Sequence, residues 1–380
     1  MLKVGILSMQ RIANYGSFLQ AYGLKKMLEE LGCEVQFVDY HPGETLIPTE
    51  EGKGIKRKIQ KVLEVFGYKA SLFQKVKFIL YKKNYAKKYY PYLGIDENRN
   101  YSPELDILLI GSDEVFNCVQ DNTNVGFSLE LFGANNKAKR LISYAASFGN
   151  TTIEKLRTYE VEQKIAECLK DFDAISVRDK NSGEIVKILT GQNPKYNLDP
   201  VLVYNFVKNC EEIPKAVKEK KYMILYGYSG RFTEEECNYI RKYAQKKGLK
   251  IFCIGGIQSC CDKFIDCDPF SVIAYFQHAD YVVTDTFHGS ILSIITHKQF
   301  VTIVRRSIGN SYGNEEKLLD LLNCLELSAR MTTKISLIEK INMQLIDYSK
   351  VDSIISKERE STEAYLRRNI GILNGKYIEV

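Results

Sequence analysis

The sequence predicts an α/β chain of two Rossmann-like, doubly wound domains that face each other across a cleft. Three observations carry that prediction. Short apolar, β-branched runs alternate with helix-period segments along most of the chain. Several of those runs break into a polar or glycine-containing turn that leads into a helix, among them Asn14-Tyr15-Gly16, Gly227-Tyr228-Ser229-Gly230 and Thr284-Asp285-Thr286. And 380 residues exceed one ordinary core while suiting two.

Residues 2–8 read as the first strand. A helix follows from about 16 to 31, with Leu19, Leu24, Met27, Leu28 and Leu31 on its apolar face and Gly32 at its end. Residues 34–39 make the next strand, so the unit is β-α-β and the sheet is expected to be parallel. Residues 106–110 form a strand that runs into a tight turn at Gly111-Ser112-Asp113. Further strands are expected at 140–146 and 173–177. Helices are expected from Thr151 or Thr152 to about 170 and from 180 to 189. Leu198-Asp199-Pro200 begins the crossover into a second α/β unit, with strands at 221–226, 250–254, 281–284 and 300–304. In that unit Thr233 and Glu236 make a capping box. A charged helix from about 351 to 368 closes the chain. The expected division is 1–200, 201–345 and a C-terminal helical piece, 346–380, that packs back across the domains.

Residues 44–92 differ from their surroundings. Lys53, Lys56, Arg57, Lys58, Lys61, Lys69, Lys75, Lys77, Lys82, Lys83, Lys87 and Lys88 interleave with Ile55, Ile59, Val62, Leu63 and Phe66, then with Leu72, Phe73, Val76, Ile79 and Leu80. The spacing is that of two basic amphipathic helices. The expectation is apolar sides on the protein and lysines in water; the competing reading is contact with an anionic membrane face.

Composition narrows the function classes. The 53 Lys and Arg against 47 Asp and Glu leave a net charge of +6, much of it local to that insertion, and no nucleic-acid motif is present. No apolar run reaches membrane-spanning length, and the N-terminal apolar stretch is too short for a signal peptide, so a cytoplasmic place is expected. Ten cysteines without C-x-x-C pairs read as reduced thiols. The group Cys253, Cys260, Cys261 and Cys267 has no usual ligand spacing and no histidine, so no metal is expected.

The stretch Tyr281 to Ser290 is the most informative. An apolar strand turns through Asp285 and Thr286 into a helix opened by Phe287-His288-Gly289-Ser290, and such a helix start offers N–H groups to an anion. His288 is one of four histidines. It reads either as a site residue or as a structural histidine at a strand end. Thr284-Asp285-Thr286-Phe287-His288-Gly289-Ser290 resembles the T-D-S-x-H-G signature of the polysaccharide pyruvyl transferase family. Asn14-Tyr15-Gly16-Ser17-Phe18-Leu19-Gln20-Ala21-Tyr22 resembles that family's N-terminal block. Gly111-Ser112-Asp113-Glu114-Val115-Phe116-Asn117 resembles its GSDQ block, and Ser176-Val177-Arg178-Asp179 and Leu198-Asp199-Pro200 follow in the family's order.

The resemblance implies a GT-B-like fold, with acceptor residues on the first domain and the donor, phosphoenolpyruvate, on the second. It implies transfer of a pyruvyl group to sugar hydroxyls, usually as a ketal, on a cell-surface polysaccharide or its lipid-linked precursor. Phosphoenolpyruvate is here a substrate, and no cofactor is expected. A donor carrying phosphate and carboxylate needs cations and N–H donors, for which Arg178, His288, Gly289, Ser290 and Arg305 are the candidates. Protonation of the enol methylene needs an acid of suitable pKa, and His288 fits either as that acid or as an electrostatic clamp on the phosphate. Asp113 or Asp285 is the candidate base; Asp285 reads equally as the residue that orients His288 or caps the following turn. Asn14, Tyr15, Gly16, Gly111, Ser112 and Asp113 are the candidate acceptor residues. Phe116 and Glu114 stand where the family often has Trp and Gln. A nucleotide-sugar glycosyltransferase, or a non-catalytic sugar- or anion-binding protein, remains the alternative on the same fold.

Overall fold

Two six-stranded parallel sheets organise the chain in the computed structural model, which describes residues 1–47, 63–305, 315–373 and 376–377. The first holds β1 (Lys3–Leu7), β2 (Glu34–Phe37), β3 (Ile107–Asp113), β4 (Arg140–Ala146), β5 (Ser176–Val177) and β6 (Lys195–Tyr196), in the order β2-β1-β3-β4-β5-β6. The second holds β7 (Tyr222–Tyr226), β8 (Lys250–Ile254), β9 (Lys263–Phe264), β10 (Tyr281–Thr284), β11 (Phe300–Ile303) and β12 (Met331–Thr332), in the order β12-β11-β10-β7-β8-β9. The chain is an α/β protein of two Rossmann-like halves, as the alternating pattern predicts. Each order reverses direction once, between β1 and β3 and between β7 and β10. Ligands of open α/β sheets gather beyond the strand ends at such points.

Local chemistry places most helices where the pattern puts them. Asn14 caps the helix Tyr15–Glu30 by accepting the Ser17 N–H at 2.7 Å. The predicted capping box at Thr233 and Glu236 opens Glu234–Lys246. Asp179 caps Lys180–Thr190 through the Ser182 N–H, which takes it away from its neighbour Arg178. Three details differ from expectation. Strand β3 continues through Gly111-Ser112-Asp113 instead of turning, with Gly111 opposite Tyr144 and Asp113 opposite Ala146. Gly111 takes φ +129°, and a Cβ there would strike the Tyr144 carbonyl, so only glycine allows the strand to run on. The helix expected up to 170 is broken into Ile153–Thr158 and Glu162–Lys170, with Glu160 at φ +54° between them. Residues 173–177 shorten to β5 plus a bridge at Ala174.

The basic insertion brings the largest correction. The first of its two expected helices falls mostly on residues outside the described ones. The second is Leu72–Leu93, and its orientation is opposite to the one predicted. Tyr81, Tyr85 and Tyr89 are buried, while Leu72, Phe73, Val76 and Leu80 face out. Tyrosine hydroxyls explain the choice. Tyr85 donates to the Asn14 carbonyl at 2.8 Å, Tyr89 to the Cys267 carbonyl at 3.0 Å and Tyr90 to the Arg11 carbonyl at 2.6 Å. Aromatic rings bring a large apolar area together with a polar tip that needs a partner.

Apolar packing is continuous between the two halves. Phe270 meets Tyr22 at 5.0 Å and Phe18 at 5.8 Å between ring centroids, and Phe78 meets Phe264 at 5.5 Å. The C-terminal helix, Tyr348–Asn369, follows the second sheet in sequence and packs against the first. Tyr365 donates to the Ser143 carbonyl at 2.7 Å, and Arg359 to the Val203 carbonyl at 2.8 Å. Replacing Tyr365 with Phe should therefore cost about 1 kcal/mol. Replacing it with Ala should cost about 3–5 kcal/mol, because a buried ring is lost as well. Urea unfolding of both variants checks the pair of values.

Candidate functional site

The helix Phe287–Ile295 begins where β10 ends, and its first turn lies against the first half of the chain. Thr286 caps it: its Oγ1 accepts the Gly289 N–H at 3.0 Å, and its carbonyl accepts the Ser290 N–H at 3.2 Å and the Ser290 hydroxyl at 3.0 Å. The donors of Gly289 and Ser290, candidates for a substrate anion, are thus engaged within the turn. The N–H groups of Phe287 and His288 are the ones with no acceptor among the described hydrogen bonds, as helix geometry requires of first-turn donors.

His288 projects from that turn into a cluster drawn from both halves. Its Nε2 stands 3.6 Å from Oδ2 of Asp199, an ion-pair distance too long for a hydrogen bond. Gly16 lies against the other side of the imidazole: a Cβ built there would overlap Nδ1 and Cγ of the ring. The same Asp199 oxygen accepts from Arg178 Nη1 at 2.9 Å, and Arg178 Nη2 donates to Asp113 Oδ1 at 3.1 Å. The guanidinium also lies over the Phe287 ring, 4.6 Å from its centroid. Ser17 completes the group, donating from Oγ to Asp113 Oδ2 at 2.9 Å. Asp113 takes φ +76°, a left-handed conformation that is unfavourable for a non-glycine residue, and its two side-chain bonds hold it there.

Electrostatics follow from burial and pairing. The Arg178 side chain is 3% exposed. Burial pulls its pKa down, and the charges of Asp113 and Asp199 more than offset this, so the guanidinium stays firmly charged. Burial pushes Asp199 up, but His288, Arg178 and the Val201 N–H outweigh it and hold the carboxyl below its usual range.

A second charged group belongs to the second half alone. Asp285 Oδ2 lies 3.0 Å from Arg231 Nε and 3.2 Å from Arg305 Nε. Arg305 also grips Glu236 with both arms, at 2.6 and 3.1 Å. Burial raises the Asp285 pKa against the pull of the two arginines.

The structure thus brings together His288, Arg178, Asp113 and Gly16. Asp285 and Arg305 sit in the neighbouring group, and the carboxylate facing His288 is Asp199, not Asp285. Arg178 has both Nη atoms engaged by carboxylates; only Nε is without a partner among the described residues. Of the remaining acceptor candidates, Asn14 serves as a cap and Tyr15 donates to the Cys267 carbonyl at 2.9 Å. Ser112 Oγ donates to the Ala145 carbonyl at 3.2 Å, and Gly111 packs on Tyr144. Glu114 reaches across to Lys317 at 2.9 Å. Phe116 is core, stacked on Phe132 at 5.0 Å, so its departure from Trp concerns packing. Asp199, Ser17, Phe287 and Arg231 were not singled out as site residues. Asp199 was visible only as the middle of the Leu198-Asp199-Pro200 block, which reads as the start of the crossover; in the structure it also caps Pro200–Val203.

Two parallel α/β sheets with charged groups at the facing strand ends define a GT-B-like protein. UDP-GlcNAc 2-epimerase from Methanocaldococcus jannaschii has this fold, with TM-score 0.51, 9% identity and coverage of 97% of this chain and 99% of that one. So does S. aureus MnaA in its UDP co-structure, with TM-score 0.50, 10% identity and coverage of 97% and 96%. A search of curated protein sequences found no match. The profile of the polysaccharide pyruvyl transferase family matches residues 14–307, and the chain belongs to that transferase family.

Two predictions test the cluster. Gly16→Ala pushes a methyl into the imidazole, and turnover should fall by about 100-fold, the loss expected when a group at a reacting centre is displaced by about 1 Å; kcat beside a thermal unfolding midpoint checks that the loss is local. The stability that Asp199 contributes through its lowered pKa is full above about pH 4 and is lost as pH falls through the folded value. Asp199→Asn should therefore flatten the acid limb of stability against pH. At pH 7 it should cost about 3–5 kcal/mol, because Arg178 stays buried with one partner fewer. Chemical denaturation across pH 3–8 measures both.

Proposed function

We propose that the protein transfers a pyruvyl group from phosphoenolpyruvate to two hydroxyls of a sugar, as a ketal. The acceptor is a cell-surface polysaccharide or its lipid-linked precursor, met at the inner face of the membrane. The observation that carries the reading is His288 beside two helix N–H groups that have no acceptor among the described residues, at the junction of the two halves, in a chain of this family. The Phe287 and His288 N–H groups receive the donor's phosphate or carboxylate, and the positive end of the helix favours either. Arg178 serves by fixing Asp113 and Asp199, and Arg231, a quarter exposed, is the more open of the two arginines on Asp285.

In the reaction His288 delivers a proton to the methylene carbon of the enol, making C2 electrophilic. One sugar hydroxyl adds to C2, phosphate leaves with the C–O bond electrons, and the second hydroxyl closes the ketal. The two hydroxyl protons end on phosphate and on the group that restores His288. Asp113, at the first half's reversal point, accepts one of them. Asp285 is assigned the lesser part of holding Arg231 and Arg305.

A thermal-shift titration with phosphoenolpyruvate and a panel of nucleotide sugars tests this on wild type, His288→Gln and Arg231→Met. Phosphoenolpyruvate should raise the midpoint of wild type by mass action, and both variants should need at least tenfold more ligand for the same shift. A shift with a nucleotide sugar alone overturns the proposal.

A further inference from the structure

The outward face of the helix Leu72–Leu93 has no partner among the described residues. Leu72 is 69% exposed, Phe73 78%, Val76 48% and Leu80 50%, and just before them Leu63 is 64% exposed and Phe66 44%. Residues 72, 76, 80, 83 and 87 share one helical face. That face is apolar as far as Leu80 and continues as Lys83 and Lys87, both exposed, with exposed Lys88 beside it. Lys69, also exposed, flanks its start. The opposite face is held by the hydroxyls of Tyr85, Tyr89 and Tyr90, so the helix cannot roll its apolar side inward.

We propose that this stripe docks the protein onto an anionic lipid bilayer, with the apolar side chains at the headgroup–acyl boundary and the lysines among the headgroups. Charge selects that occupant. A second copy of the chain packing on this face would set Lys83 and Lys87 against each other if parallel, or against the apolar residues and Lys69 if antiparallel, and residues 69–88 hold no carboxylate to pair them. A bilayer bearing negative lipid attracts both parts of the stripe. A convex helix face also offers no groove for a peptide. Tyr85 ties the same helix to Asn14, two residues before the glycine that packs on His288, so docking brings the candidate site close to the lipid surface. The inference deepens the proposed function by naming where a lipid-linked acceptor is met, but its evidence is independent of the donor.

Vesicle flotation of the full chain tests it, with phosphatidylcholine alone and with one-third phosphatidylglycerol, at low and high salt. Wild type should bind the anionic vesicles at low salt and largely dissociate at high salt. Leu72→Ser with Phe73→Ser, and separately Lys83→Glu with Lys87→Glu, should each lower the partition coefficient by about tenfold or more. These residues are exposed, so the phosphoenolpyruvate shift of the same variants should match wild type. That comparison separates failure of docking from failure of the donor assignment. Absence of binding to anionic vesicles, equal binding to neutral ones, or binding unchanged in both double variants overturns the proposal. So does a dimer, seen by sedimentation, that the Leu72 and Phe73 changes abolish without any vesicle binding in wild type.

Discussion

One oxygen of Asp199 lies 2.9 Å from a guanidinium arm of Arg178 and 3.6 Å from Nε2 of His288, and the carboxylate sits where the chain crosses from one sheet to the other. The two cations come from different halves. Without Asp199 they would face each other, and the charge of Arg178, 3% exposed, would lean on Asp113 alone. The single anion therefore helps set the junction of the halves and the position of the imidazole together. Its partner at the far end, Asp113, is held in a left-handed conformation by Ser17 and Arg178. The chain of contacts runs from the first helix, through two carboxylates and a buried arginine, to the first turn of a helix in the second half.

Why the helix start is placed so closely follows from size. Gly16, from the first half, packs on the histidine ring, and its missing side chain is the space the imidazole occupies. A histidine packed this way has few rotamers open to it, so its orientation is fixed before any ligand arrives. The neighbouring Arg231–Asp285–Arg305–Glu236 group has a different construction. Both of its arginines pair with Asp285 and Arg305 also with Glu236, inside one half, at the β7–β10 reversal, on the same side of the junction as the helix that carries His288.

Much of this could be read from residue patterns because the fold depends on local rules. Alternation of apolar runs with capped helices specifies parallel sheets, and the reversal points follow from strand order. Residues 14–16, 111–113, 178 and 284–290 all fall at strand ends or helix starts in both readings. What escaped was pairing. Nothing in the spacing of Asp199 tells it from an ordinary cap, since its partners lie 21 and 89 positions further along or back in sequence and meet it only in three dimensions. One of the open readings of Asp285 has it orienting His288. The turn instead points its carboxylate toward Arg231 and Arg305, and the helix cap at Thr286 separates the two side chains.

The helix Leu72–Leu93 shows where periodicity misleads. Its aliphatic residues mark a helical stripe that by hydropathy alone belongs inside, yet the stripe that packs is the one bearing Tyr81, Tyr85 and Tyr89. Hydropathy scales rank tyrosine as nearly neutral because they average a large apolar ring with a hydroxyl. At the junction of two domains, with backbone carbonyls of Asn14, Arg11 and Cys267 waiting for donors, the rings of Tyr85, Tyr89 and Tyr90 bury their area with their hydroxyls satisfied, while the Tyr81 hydroxyl is buried without a partner among the described residues. Leucine and phenylalanine on the other face gain nothing from those carbonyls. Their exposure is the residue of that competition, and it leaves an apolar, lysine-flanked ridge one helix away from the start of the candidate site.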